Sequence, residues 1–183
     1  LFPYSALTAA LLVATFVDLE RFIIPDEITL PGILVAVALS VALPGLHDAG
    51  DPVVRILSRQ FHLTAPRVVS AVSCVTGLAL GAGAIYAAGL LGKLIFRKEA
   101  MGTGDVKLMA MAGGFLGPQL VVLGIVLACL YGSLFGILTL IRKRTTRIPF
   151  GPYLSAGCFT VMILEPQVLA VFQKWSAFVQ SLV

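Results

Sequence analysis

The chain contains few charged residues, few histidines and few cysteines. Only 12% of its 183 residues are Asp, Glu, Lys or Arg, which is about half the share found in soluble domains. The three cysteines form no CxxC pair, so the sequence predicts neither a zinc site nor a disulfide framework. No HExxH motif is present, which disfavours zinc-dependent hydrolysis. His47 and His62 have no matching ligands nearby, and we expect both to lie in a solvated loop.

Long apolar runs occupy most of the chain. Hydrophobic residues make up 58% of the sequence, and several runs approach the ~20 residues that cross a bilayer as a helix. A membrane β-barrel would show short segments of alternating polarity instead. We therefore predict an all-α, polytopic integral membrane protein with one membrane-embedded domain. Its six predicted transmembrane helices cover residues 1–17, 28–44, 68–94, 105–116, 119–141 and 150–172.

The basic residues predict how this bundle is oriented. Most lysines and arginines lie in the first, third and fifth connections, including the cluster 142–147. Because cytoplasmic loops carry an excess of positive charge, these three connections are predicted to be cytoplasmic. The net charge of +4 is thus a topology signal, and we expect no nucleic-acid partner. The second connection contains a predicted short interfacial helix at residues 52–63.

Two aspartates lie at span ends on the predicted cytoplasmic side. Asp18 follows the uncharged first span, and Asp105 begins the short fourth span. A carboxylate at the edge of an apolar helix is costly to place there, so it indicates a functional site. When two carboxylates share a site, they hold one proton between them, and one can activate water while the other protonates a carbonyl. We expect both to face one cavity; an N-cap role is the alternative for Asp105.

Several neighbours of Asp105 are candidates for supporting it. Gly102 and Gly104, with Thr103 between them, permit positive φ and a close approach of a substrate strand. Lys107 has three open roles: tuning the acid pair, binding lipid phosphate, or reaching the surface as an ordinary snorkelling lysine. In the third predicted span, the spacing of Gly77 and Gly81 indicates close helix packing.

Three segments resemble the type IV prepilin peptidases, a branch of the GxGD intramembrane aspartyl proteases. Gly102-Thr103-Gly104-Asp105 fits the GxGD motif, and its surroundings, Met101 to Leu108, resemble the same family. Asp18 followed by the segment Ile24 to Gly32 resembles a second family segment, and Ile148 to Tyr153 a third. The three occur in the family's order across nearly the whole chain.

The resemblance implies an aspartic endopeptidase with Asp18 and Asp105 as its catalytic pair and no metal. Its substrates would be prepilins and pseudopilins, cut after a glycine that separates a basic leader from a hydrophobic helix. Cleavage would occur at the cytoplasmic face of the bacterial inner membrane, among lipids that are also partners. Glu20 and Glu27 are then candidates for meeting the basic leader. Structural roles are predicted for Asp26 as the N-cap of the second span, for Pro25 before it, and for Pro149, Gly151 and Pro152 at the entry to the sixth span.

The resemblance implies no cofactor for peptide cleavage. Many bacterial members of the family also methylate the new N-terminus, using S-adenosylmethionine and an N-terminal extension with paired cysteines. Nothing in this sequence matches that extension, so S-adenosylmethionine is expected only if a longer chain carries it. Leu1 begins inside an apolar run without an initiator methionine, and we therefore expect the chain to be a fragment.

Two other functional classes fit the same residues. A small proton-coupled transporter would use Asp18 and Asp105 as relay groups. A structural membrane subunit would use its acids only to cap helices. A transporter needs acids near the bilayer midplane, whereas both aspartates are predicted at span ends.

Overall fold

The computed structural model describes residues 2–43, 46–47, 52–60, 65–97, 102–141 and 149–164. Within these ranges the chain forms helices joined by short connections and no β-strand, which confirms the all-α prediction there. The basic cluster 142–147, His62 and residues 165–172 of the sixth predicted span lie outside the described residues. The helices are α1 Phe2–Arg21, α2 Asp26–Ala42, α3 Pro52–Gln60, α4 Pro66–Phe96, α5 Thr103–Ile141 and α6 Gly151–Leu164.

Helix α2 begins directly after a proline. Pro25 is extended (φ −72°, ψ 135°) and occupies the N-cap position, with no side-chain cap hydrogen bond. Asp26 is therefore the first helical residue, and its predicted role as the N-cap is wrong. An acidic residue is still favourable there, because the first turn of a helix carries the positive end of the macrodipole.

Helix α5 is broken at Gly117, which has φ 79° and ψ 174°. Only glycine adopts this region of backbone space readily, and the following Pro118 has no N–H to continue the helix. Gly81 of α4 lies against both Met109 and Val121, two residues that a straight helix would hold about 18 Å apart along its axis. The chain therefore bends sharply at Gly117, where the sequence predicts the end of the segment 105–116.

The half-helix 103–116 is the centre of the molecule. Every residue from 108 to 118 is buried. Its backbone lies directly against α4, because a Cβ added at Gly77 would overlap the carbonyl oxygen of Gly113, and one added at Gly81 would overlap that of Met109. The prediction of close packing at these two glycines is confirmed. Around this centre the core contains Leu7, Leu11, Ile85, Phe115, Leu154 and Val161.

The outer surface of the bundle is strongly apolar. Leu34, Leu94 and Ile141 are each more than two-thirds exposed, at 71%, 78% and 72%. In the part of the chain that the structure describes, two segments are long and apolar enough to cross a membrane by length and composition, Pro66–Ile95 and Thr103–Thr139. The second of these contains the break at Gly117.

His47, in the connection between α2 and α3, does not lie in the predicted solvated loop. His47 is only 8% exposed, and its imidazole lies between Ser70 of α4 and the backbone of Gly114 in α5. The prediction was wrong for His47 because the sequence contains no local signal for partners 23 and 67 residues away. Helix α3 itself forms within the segment predicted as a short interfacial helix.

Candidate active site

A cavity of about 580 Å³ opens where three parts of the chain meet. They are the end of α1 with the connection that follows it, the first turn of α2, and the first turn of α5. Within the described ranges, no group of three His, Cys, Asp or Glu side chains could hold a metal ion. The ionisable residues that line the cavity are the acids Asp18, Asp26, Glu27 and Asp105 and the bases Arg21 and Lys107.

Asp18 lies in the last turn of α1 and is only 6% exposed. The helix ends just before Phe22, which has a positive φ of 54°. Phe22 donates its backbone N–H to the Asp18 carbonyl oxygen at 2.9 Å. Asp18 Oδ2 accepts a hydrogen bond of 3.0 Å from the backbone N–H of Gly151. Burial raises the pKa of the Asp18 carboxyl, and the hydrogen bond from Gly151 opposes that rise.

Gly151 is the first residue of α6, so its N–H has no partner inside that helix and points outward. Helix N-termini favour negative charge for this reason. A Cβ added at Gly151 would lie only 2.6 Å from Asp18 Oδ2. The sequence predicts a structural role for Gly151 at the entry of the sixth span; the structure adds direct contact with one aspartate, which only glycine permits at this distance.

Asp105 lies in the first turn of α5 and is 8% exposed. Its carboxylate receives a hydrogen bond from the backbone of Gly102, the residue that precedes the helix. Asp105 is the third residue of the helix, and a carboxylate at that position can accept a hydrogen bond from the backbone N–H of the N-cap residue, here Gly102. Asp105 therefore helps to cap its own helix. The side chains of Asp105 and Asp18 both line this one cavity. The prediction that they share a cavity is confirmed.

The glycine before Asp105 allows the connection after α1 to come close. A Cβ added at Gly104 would lie 2.9 Å from the Cβ of Ile24. Of the two properties that glycine permits here, positive φ is not the one used at Gly104. Close approach is what Gly104 provides, and it brings the α1–α2 connection against the start of α5.

Lys107 and Asp26 form an ion pair at the cavity wall. The Lys107 Nζ donates to both carboxylate oxygens of Asp26, at 2.7 Å and 2.6 Å. The two side chains are 36% and 53% exposed, so water screens their attraction. The pair joins the second turn of α5 to the first turn of α2. None of the roles predicted for Lys107 included this contact, because its partner is 81 residues away in the sequence.

The other predicted residues divide by position. Pro25, Glu27 and Thr103 line the cavity with the aspartates. Glu20 is exposed and does not line it. Pro149 and Pro152 flank the start of α6, where Gly151 contacts Asp18. The arrangement thus contains two buried carboxylates that line the same open cavity, and two carboxylates that share a site can hold one proton between an acid and a base.

Comparison with known proteins shows the family to which the sequence belongs. Residues 5–137, which include both aspartates, match the model of the type IV leader peptidase family. No solved structure matches the chain. A "Prepilin leader peptidase/N-methyltransferase" of Aeromonas salmonicida is 34% identical over 160 residues, which cover 86% of this chain and 47% of that protein.

Two further relatives give the same result. A protein of the same name from Pseudomonas aeruginosa is 27% identical over 175 residues, covering 94% of this chain and 52% of the relative. The "Type 4 prepilin-like proteins leader peptide-processing enzyme" of Escherichia coli O78:H11 is 30% identical over 159 residues, covering 87% and 50%. The chain therefore spans about half the length of the curated relatives it matches. On the family match over most of its length, the chain belongs to the type IV leader peptidase family.

Proposed function

We propose that this chain is a membrane aspartic endopeptidase that removes the leader peptide of type IV prepilins and pseudopilins. One observation carries the proposal: Asp18 and Asp105 come from helices far apart in the sequence, yet both are buried and line one cavity. The family match and the names of the relatives supply the substrate class.

In the proposed reaction a water molecule in the cavity attacks the carbonyl carbon of the glycine that ends the leader. The ionised aspartate takes a proton from the water, and the protonated aspartate gives its proton to the carbonyl oxygen. Collapse of the tetrahedral intermediate breaks the C–N bond, and the leaving amine takes up a proton from the pair. The two carboxyls titrate as a coupled unit, so the acid and base roles belong to the pair.

The surrounding backbone holds each carboxylate in place for this reaction. The N–H of Gly151 fixes Asp18, and the backbone of Gly102 fixes Asp105. Peptide hydrolysis by the pair needs no cofactor. The names of the relatives also include N-methyltransferase activity, but no residue described here is assigned to S-adenosylmethionine.

The exposed apolar side chains and the two long apolar segments support a membrane location for the proposed peptidase. The half-helix 103–116 is about 21 Å long, too short to cross a hydrocarbon core of about 30 Å. A protein with six spans in the bacterial inner membrane would thus hold Asp105 near the cytoplasmic surface, within reach of water. The exposed leucines and isoleucines would face lipid and the hydrophobic helix of the substrate. The acid Glu27 at the cavity would attract the basic leader.

The transporter alternative has less support. The two aspartates lie at the end of a helix and at the start of a half-helix, and not in the middle of a span. The matched relatives are named as peptidases and processing enzymes. These observations favour hydrolysis over proton relay.

A cleavage assay on a prepilin substrate in detergent or nanodiscs tests the proposal. Asp18→Asn and Asp105→Asn should each lower the cleavage rate by ~10³-fold or more, since each removes one partner of the acid–base pair. Glu20→Gln changes an exposed carboxylate outside the cavity and should lower the cleavage rate far less. Thermal unfolding of each variant controls for folding. Full cleavage by either aspartate variant would exclude the proposed mechanism.

A further inference from the structure

The imidazole of His47 lies at the other end of the half-helix 103–116 from Asp105. His47 is 8% exposed and Ser70 2%. Its Nδ1 lies 3.1 Å from the Ser70 hydroxyl, and its Nε2 lies 3.1 Å from the carbonyl oxygen of Gly114. The ring also lies against the helix break, because a Cβ added at Gly117 would be 3.2 Å from the His47 Cδ2. The side chain thus connects α4 to the end of the half-helix.

The Gly114 carbonyl requires a partner from outside its own helix. In a continuous α-helix it would accept the N–H of the residue four positions later. That residue is Pro118, which has no N–H, and the backbone has already left the helical conformation at Gly117. A buried carbonyl without a donor is unfavourable. His47 supplies the donor that the broken helix cannot.

These contacts determine which ring nitrogen carries the proton. A carbonyl oxygen only accepts, so Nε2 must donate to Gly114. In the neutral ring Nδ1 then accepts a hydrogen bond from the Ser70 hydroxyl, which completes the polar contacts of the imidazole. The ring therefore bonds to α4 through Ser70 and to the half-helix through the Gly114 carbonyl.

The half-helix carries Asp105 nine residues before Gly114, a distance of about 14 Å along its axis. Asp18 is fixed independently, because its hydrogen bond comes from Gly151 of α6. An axial shift of the half-helix would therefore move Asp105 relative to Asp18. Displacements of about 1 Å are enough to cost large factors in rate.

We propose that His47 is a positioning residue for Asp105, acting through its hydrogen bond to Gly114 at the far end of the half-helix. The proposal rests on the proposed peptidase function of the two aspartates. His47 contributes no group to the cavity itself, where α1, α2 and the first turn of α5 supply the lining.

Two amide variants of the full chain separate the two contacts of the ring. The side-chain amide of His47→Gln reaches the position of Nε2 and can donate to Gly114, whereas that of His47→Asn reaches only the position of Nδ1. With a prepilin peptide as substrate, kcat should fall about tenfold in the Asn variant and less than about threefold in the Gln variant. KM should change little in either, because the cavity lining is intact. Amide hydrogen exchange in residues 110–117 should quicken in the Asn variant alone.

Three outcomes would overturn the proposal. The first is the same kcat for the wild type and both variants. The second is an equal fall of kcat in both variants. The third is a loss of thermal stability in the Asn variant while its kcat stays unchanged. The exchange measurement does not depend on activity. If the wild-type chain cleaves no prepilin peptide, the proposed function fails, and the exchange of the two variants still decides whether His47 anchors the half-helix.

Discussion

The two ends of the half-helix 103–116 are held by different chemistry. At the cavity end the contacts involve ionisable groups: Asp105 with the Gly102 backbone, and Lys107 with Asp26, a pair that remains partly exposed. At the far end the contacts are neutral and buried, with the His47 imidazole on the Gly114 carbonyl and a glycine at the break. The charged Lys107–Asp26 pair lies where water reaches it, whereas the buried Gly114 carbonyl receives an uncharged donor, because burying a charge costs more than burying a neutral polar group.

The two ends also use glycine for different reasons. At the cavity end Gly151 is required for space, because a Cβ would lie 2.6 Å from the Asp18 carboxylate. At the far end Gly117 is required for its backbone conformation. Substitution at the first should therefore damage the site, and substitution at the second should mainly damage the fold.

Apart from the two aspartates themselves, the largest effect on activity is expected for Gly151→Ala. The added methyl group must push Asp18 away or move the start of α6, which lengthens the Gly151–Asp18 hydrogen bond. We expect the cleavage rate to fall about 100-fold, as for other displacements of about 1 Å at reacting groups. The matched control is Gly136→Ala in α5, where a Cβ meets nothing within 4 Å. Equal rates for the two variants would show that Gly151 does not position Asp18.

A loss of stability is expected for Gly117→Ala. Alanine at φ 79° and ψ 174° is strained by about 1–3 kcal/mol, and its Cβ would lie 3.1 Å from the Ser73 hydroxyl. Chemical unfolding in detergent measures the change. Gly83→Ala, in open space on α4, is the control and should be neutral or slightly stabilising through helix propensity. A Gly117 variant as stable as the control would mean that the break tolerates an ordinary side chain.

The smallest effect is expected for the ion pair at the cavity wall. A double-mutant cycle with Lys107→Met and Asp26→Asn should give a coupling free energy of ~0.2–1 kcal/mol in unfolding, because water screens both groups. Cleavage should change by a similar small factor in both single variants. If Lys107→Met lowered cleavage strongly while Asp26→Asn did not, Lys107 would act on the aspartates or the substrate directly, and its pairing with Asp26 would be incidental.

Much of this architecture was predictable from local patterns. Continuous apolar runs predicted helices in the described ranges, and Gly117-Pro118 predicted the break in α5, because glycine and proline act on their own backbone. The distribution of lysine and arginine placed Asp18 and Asp105 at the same end of the bundle. The structure agrees that they line one cavity.

The contacts that refine the site were not predictable in this way. The Gly151–Asp18, Lys107–Asp26 and His47–Gly114 contacts join residues 133, 81 and 67 positions apart. The sequence predicts Asp26 as a helix cap and His47 as a loop residue. A single sequence shows which partners are close along the chain, but it does not show which partners helix packing brings close.

By itself the sequence determined the helical class, the position of the helix break, and the choice of Asp18 and Asp105 as the candidate pair. Each of these depends on composition, on charge distribution or on neighbouring residues. Only the tertiary structure decided how the carboxylates are held. Those contacts arise where helices from distant parts of the chain pack: a backbone N–H of α6 on Asp18, an ion pair across α2 and α5, and an imidazole on a carbonyl that proline leaves without a donor.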